Sequence, residues 1–124
     1  MEYYPGQSIL YHERKLNSMI KLNIFYPDKE GSRFDLDYYL NVHMPMAIEK
    51  LGPSLRGVSV EYGVSGVQPG TKRTYIALCN YTFASAEAFL DAFLPHAEFL
   101  QGDMVNYTDI EPIMQFSEIK MSQE

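Results

Sequence analysis

Residues 34–53 read FDLDYYLNVHMPMAIEKLGP, and the period of this stretch decides how the chain is organised. Leu36, Leu40, His43, Ala47 and Leu51 recur every three or four residues, the spacing of one helical face. Asp35 stands where an N-cap is needed, and Asp37 falls in the first turn, where negative charge suits the helix dipole. Gly52-Pro53 is a breaker pair that ends the helix. Pro45 interrupts it earlier. A proline removes the donor for the Asn41 carbonyl and disfavours helical backbone at Met44, so a kink or short break is expected at His43 to Pro45.

Outward from this helix the period falls to two. Upstream, MIKLNIFYP (19–27) predicts a strand, with Ile20, Leu22, Ile24 and Tyr26 on one face and Lys21, Asn23 and Phe25 on the other. Downstream, GVSVEYGVS (57–65) and RTYIALCNYTF (73–83) predict an antiparallel pair joined across GVQPGTK. Ser85 then caps a second helix whose apolar stripe is Ala86, Phe89, Leu90 and Phe93, and Pro95 interrupts it. A last strand, PIMQFSEIK (112–120), opens at a proline. Residues 1–18 are polar and turn-prone and read as an N-terminal arm, leaving residues 19–124 as the domain. The order β-α-β-β-α-β is the split pattern of an α+β, ferredoxin-like fold, with two helices covering one face of a four-stranded antiparallel sheet.

A chain of 124 residues suits one core. Its 46% hydrophobic and 21% charged residues are ordinary for a globular protein, and no run approaches the roughly 20 apolar residues of a membrane span. The first residues lack the basic-then-apolar order of a secretory signal, and the single cysteine, Cys79, excludes an internal disulfide. A cytoplasmic protein is expected. The net charge of −6, with ten scattered Lys and Arg, argues against nucleic acid and against an anionic membrane surface as partners. Ten tyrosines and seven phenylalanines without a tryptophan suit a dimer interface or an aromatic-lined pocket.

In the third strand both rows carry large residues: Tyr75, Cys79 and Tyr81 against Ile76 and Leu78. A sheet apolar on both faces needs cover on both, and the helices can cover only one. A homodimer packed through the other face is therefore expected.

RFDLDYYLNVHMPMA also resembles the EthD family of small dimeric α+β barrel proteins. The family's helix pattern F-D-x-x-Y-Y-x-x-x-H-x-P-hydrophobic is matched by Phe34, Asp35, Tyr38, Tyr39, His43, Pro45 and Met46. The likeness runs on through LRGVSVEYGVSG, FASAEAFLDAF and GDMVNYTDIEPIMQFSEI, covering about Met19 to Met121. The resemblance implies a ferredoxin-like fold whose sheets join in a dimeric barrel. It implies a place near oxidative breakdown of ethyl tert-butyl ether or other foreign compounds. Relatives on this fold include cofactor-independent monooxygenases, isomerases and dehydratases, and the fold alone does not choose among them.

His43 admits two readings. It can cap the carbonyl freed by Pro45, or it can project into a cleft and move a proton, since a free imidazole titrates near neutral pH. The resemblance brings the second reading level with the first, and in it Tyr39, four residues earlier on the same side, orients the imidazole or a ligand oxygen. Tyr26, Tyr62 and Tyr75 are candidate pocket walls from the sheet, and Asn106 and Tyr107 lie on a loop that could lid a cleft. His96, Asp109 and Glu111 read as hydrated. No metal is expected, because His12, His43, His96 and Cys79 show no ligand spacing. No cofactor is expected either, for want of a phosphate loop or dinucleotide fingerprint. The function expected is binding of a small apolar or aromatic, oxygen-bearing molecule near His43; whether the protein is an enzyme is left open, and if it is, His43 is the acid/base. The alternative is a non-catalytic dimer that binds such a molecule and supports a neighbouring oxygenase.

Overall fold

The structure, a computed structural model, describes residues 19–123; the expected N-terminal arm lies outside them. Strand β1 (Ile20–Pro27) leads to helix α1, which is assembled from a turn at Leu36–Tyr38, a π-helical turn at Tyr39–His43 and an α-helical segment at Met44–Leu51. Strands β2 (Gly57–Tyr62) and β3 (Tyr75–Phe83) follow, then helix α2 (Ala86–Phe93) and helix α3 (Ala97–Gly102). Short 3-10 turns, Leu94–His96 and Asp103–Asn106, precede and follow α3, and strand β4 (Ile113–Glu118) closes the order. The sheet runs β2-β3-β1-β4 with every pair antiparallel, and the fold is the ferredoxin-like α+β arrangement that the sequence predicts.

Both helix starts follow from their caps. The Asp35 carboxylate accepts from the Tyr38 N–H at 3.1 Å, and the Ser85 hydroxyl oxygen accepts from the Ala88 N–H at 3.0 Å. Gly52 ends α1 at φ +71, a conformation that side chains disfavour.

Pro45 acts differently from the expected break. His43 and Met44 both stay helical, at φ −66, ψ −50 and φ −65, ψ −45. The hydrogen-bond ladder slips by one residue instead, so that the Met44 N–H donates to the Tyr39 carbonyl. Pro45 thus sits at the start of a fresh α-segment, where its missing N–H costs little. Of the expected stripe, Leu40 is 43% exposed, and Tyr39, four residues before His43, is the buried residue at 1%.

Cross-strand register sorts the sheet faces. Leu22, Ile24 and Tyr26 lie opposite Tyr81, Cys79 and Ala77 on the helix-covered face, and Cys79 is buried there. The outer face has a polar centre: Asn23 donates to Ser117 at 2.7 Å and Asn80 to Ser59 at 3.1 Å. Its apolar part is confined to one end, with Phe25, Leu78 and Ile113. A register shift between Tyr26 and Pro27 brings Tyr75 opposite Pro27, which moves it out of the Cys79–Tyr81 row where the alternation puts it. Its ring packs on Phe25 at 5.1 Å.

The core lies between sheet and helices, around Tyr26, Tyr39, Phe83, Phe89 and Tyr107. Phe83 is 1% exposed and meets Phe89 edge-on at 5.3 Å. Replacing Phe83 by Ala should cost about 3–5 kcal/mol, and Ser85→Ala about 1 kcal/mol, both read as lowered denaturation midpoints in urea.

Candidate functional site

The π-turn delivers Tyr39 and His43 inward from α1, stacked at 5.5 Å and 11°. The segment after α3 meets them. Asp35 N–H donates to the Tyr107 carbonyl at 2.7 Å, and the Thr108 hydroxyl donates to the Arg33 carbonyl at 2.7 Å. This zipper drives the Tyr107 ring, 1% exposed, against His43 at 4.7 Å and Tyr39 at 4.8 Å. It also sets Asp103 beside the imidazole.

The Asp103 carboxylate is the polar hub. Its Oδ2 lies 2.8 Å from His43 Nδ1, and its Oδ1 accepts from Tyr38 Oη–H at 2.7 Å and from Asn106 Nδ2 at 2.9 Å. Burial alone would raise its pKa, but the hydrogen bonds from Asn106, His43 and Tyr38 outweigh that and hold it below the usual value. An ionised carboxylate only accepts, so Nδ1 carries a proton, and in the neutral form of the ring the lone pair is on Nε2. His43 itself is 7% exposed.

Beside this group lies a cavity of about 370 Å³ between the sheet and the helices. Leu22, Ile24 and Tyr26 form part of its floor, and Tyr39, His43, Ala47 and Tyr107 part of its opposite wall. Leu90, Met114 and Phe116 line it and are exposed, so they mark its rim. Among the described residues, none that lines it is Asp, Glu, Lys or Arg. The volume is at the small end of ligand sites, which run from roughly 300 to 1,000 Å³. Tyr26 Oη and Tyr107 Oη are 3.0 Å apart on its surface. Burial pushes both phenols up, as it does for Tyr39, so all three hydroxyls stay protonated.

Of the residues singled out in the sequence, Tyr26, Tyr39, His43 and Tyr107 come together at this cavity. Tyr107 is a core residue, not part of a lid. Asn106 is exposed and off the cavity wall, where it holds Asp103. Tyr62 and Tyr75 do not line the cavity. Tyr62 ends β2 near the sheet edge with the Arg73 guanidinium over its ring at 5.0 Å, and the register shift sends Tyr75 to the outer face. His96 is half-buried in a 3-10 turn, Asp109 is exposed and accepts from the Arg33 N–H at 2.8 Å, and Glu111 is exposed. Asp103 escapes a reading from the sequence. Its only local signal is the Asp103–Asn106 spacing of one turn, in a segment without a strong period. Among the described residues, no three His, Cys, Asp or Glu side chains gather as a metal site, and no helix is long and apolar enough to cross a membrane.

No family model matches the chain, and no curated protein matches it. Solved structures do. An EthD-like protein from Ralstonia eutropha is 41% identical over 85% of this chain and 95% of its own, with a TM-score of 0.81. The chain belongs to the EthD-like family. An ethyl tert-butyl ether D (EthD) family protein from Bacillus halodurans is 21% identical, covering 81% of this chain and 97% of its own at a TM-score of 0.61. A dimeric ferredoxin-like protein of unknown function from Bacteroides fragilis shares the fold at 15% identity, 83% and 98% coverage and a TM-score of 0.51.

The Asp103 bonds imply a pH dependence. Its carboxyl is held below its unfolded value, so its contribution to stability is complete above about pH 4 and is lost as pH falls through the lowered value. Thermal midpoints of the protein and of Asp103→Ala should differ at neutral pH and converge in acid.

Proposed function

We propose that this EthD-like protein binds a small apolar or aromatic, oxygen-bearing molecule in the cavity beside His43 and moves a proton on it. The observation that carries this reading is the His43–Asp103 pair at the wall of a cavity whose described lining holds no Asp, Glu, Lys or Arg. With Nδ1–H held by a carboxylate, Nε2 is free to take a proton from a ligand. The resulting imidazolium is stabilised by Asp103, and the proton can be returned at another ligand atom. Tyr39 stacks on the imidazole and fixes its plane. Such chemistry needs no cofactor and fits isomerase-, dehydratase- or cofactor-independent monooxygenase-type steps, in the degradation of foreign compounds or in another oxidative setting. The alternative is a binding dimer that presents the molecule to a neighbouring oxygenase. The buried, unpaired cysteine supports a cytoplasmic setting.

Two copies are the working unit in this reading. The apolar end of the outer sheet face, Phe25, Tyr75, Leu78 and Ile113, gives a second copy something to cover, and the Bacteroides fragilis relative is described as dimeric. Sedimentation velocity should return a dimer, and Leu78→Lys should shift it to monomer.

Proton transfer is tested by NMR in deuterium oxide with a panel of small uncharged oxygen compounds. The protein should accelerate exchange or conversion of at least one of them. His43→Gln should lower that rate by about 100-fold or more, with the far-ultraviolet spectrum retained. Binding without conversion in both proteins would favour the accessory dimer.

A further inference from the structure

The cavity lining divides by exposure. Its buried polar side chains are His43, Tyr26, Tyr39, Tyr81 and Tyr107. Its exposed residues are Leu90 on α2, Gln101 on α3, and Met114, Gln115 and Phe116 on β4. The mouth therefore opens between these helices and β4. Gln115 pairs with Asn23, whose amide lies on the outer sheet face, so alternation aims Met114 and Phe116 at the cavity and Gln115 away from it. Gln101 is the polar side chain left at the rim.

The two ends are set apart along β1. At one end Tyr26 bonds Tyr107 at 3.0 Å and Tyr107 lies against His43 at 4.7 Å, with the bonds from Asp35 to Tyr107 and from Thr108 to Arg33 closing the protein behind them. Four residues away, Leu22 pairs with Phe116, whose ring meets Phe89 edge-on at 5.6 Å. At about 3.3 Å per residue the two ends lie about 13 Å apart. Tyr81 pairs with Leu22, but its hydroxyl reaches Met44 Sδ at 3.5 Å, next to His43 in α1. This order is the reverse of a pocket that takes in an apolar tail and leaves a polar head in water. A tail pushed to the closed end would strip water from the imidazole and hydroxyls without replacing its hydrogen bonds, and would leave the apolar rim uncovered. A ligand oxygen there gives those groups a partner, while its tail covers Leu90, Met114 and Phe116.

We propose that the cavity takes one-headed amphiphilic molecules polar end first, with an oxygen-bearing head at His43, Tyr26 and Tyr107 and an alkyl or aryl tail leaving past Leu90, Met114 and Phe116. This rests on the cavity being a ligand site. The tail can then be lengthened at the mouth, whereas a substituent beyond the head meets the closed end. Proton transfer by His43 falls at the head, so compounds that differ only in their tails share one chemistry.

The test is calorimetric binding of primary alkanols from butanol to dodecanol, and of the matching diols with a hydroxyl at each end, to the full chain. Alkanol affinity should rise about fourfold per CH2 and then level once the tail reaches the mouth. Short diols should bind about tenfold or more weakly than their alkanols, because the second hydroxyl is held against apolar wall. Beyond the levelling point the two should agree within about threefold, because that hydroxyl stands in water. Orientation is read from nuclear Overhauser contacts in the octanol complex. The methylene beside the oxygen should meet the Tyr26 and Tyr107 rings, and the terminal methyl should meet Leu90 and Phe116. Contacts in the opposite order would overturn the polar-end-first placement. A sharp loss of affinity for the longer alkanols, or long diols that stay about tenfold weaker, would overturn the open mouth while leaving the cavity as a ligand site. Failure of every alkanol to bind would remove the cavity reading and the proposal together.

Discussion

The docking of residues 103–109 against residues 33–43 is the constraint on which this molecule turns. Backbone and side-chain bonds join Asp35 to Tyr107 and Thr108 to Arg33, and Phe34 and Thr108 pair as an isolated bridge. The Tyr107 ring then has nowhere to go but between α1 and the sheet. Burying an aromatic side chain of this size stabilises by about 1.5–3 kcal/mol, and the hydroxyl is kept from penalty by Tyr26. The same docking carries Asp103 to His43. Core closure and site assembly are therefore one event.

The π-turn in α1 is the second element that couples packing to chemistry. Across the slipped ladder Tyr39 stays buried with its ring nearly parallel to that of His43, while Leu40 is exposed. Pro45 makes the slip inexpensive because the hydrogen bond it cannot make would have fallen at the join. A residue that reads as a helix breaker serves here as the seam between two helical registers.

Polar side chains among the described residues of the cavity lining are few: the carboxylate-backed imidazole of His43, the phenols of Tyr26, Tyr39, Tyr81 and Tyr107, and the amides of Gln101 and Gln115. The rest of the described lining is apolar, so these groups act in a medium where hydrogen bonds are stronger than in water and unpaired charge is penalised. That contrast, more than any single residue, argues for an uncharged ligand.

The sequence by itself determined the element order, the caps at Asp35 and Ser85, the row Ile20, Leu22, Ile24 and Tyr26 on one side of the first strand, and His43 with Tyr39 as site candidates. These are local facts, carried by the period of apolar residues and by caps a few residues long. Only the tertiary structure decided that Tyr107 lies in the core, that Asp103 rather than Asn106 meets the imidazole, and that Tyr62 and Tyr75 stay off the cavity. Asp103 and His43 are separated by 60 residues, and no short pattern records their meeting. A single register shift at Tyr26–Pro27 reverses the face of Tyr75, because side chains alternate along a strand and one residue of slip inverts them. The one-residue slip in α1 is likewise set by a backbone bond, Met44 N–H to the Tyr39 carbonyl, whose partner only the folded chain selects.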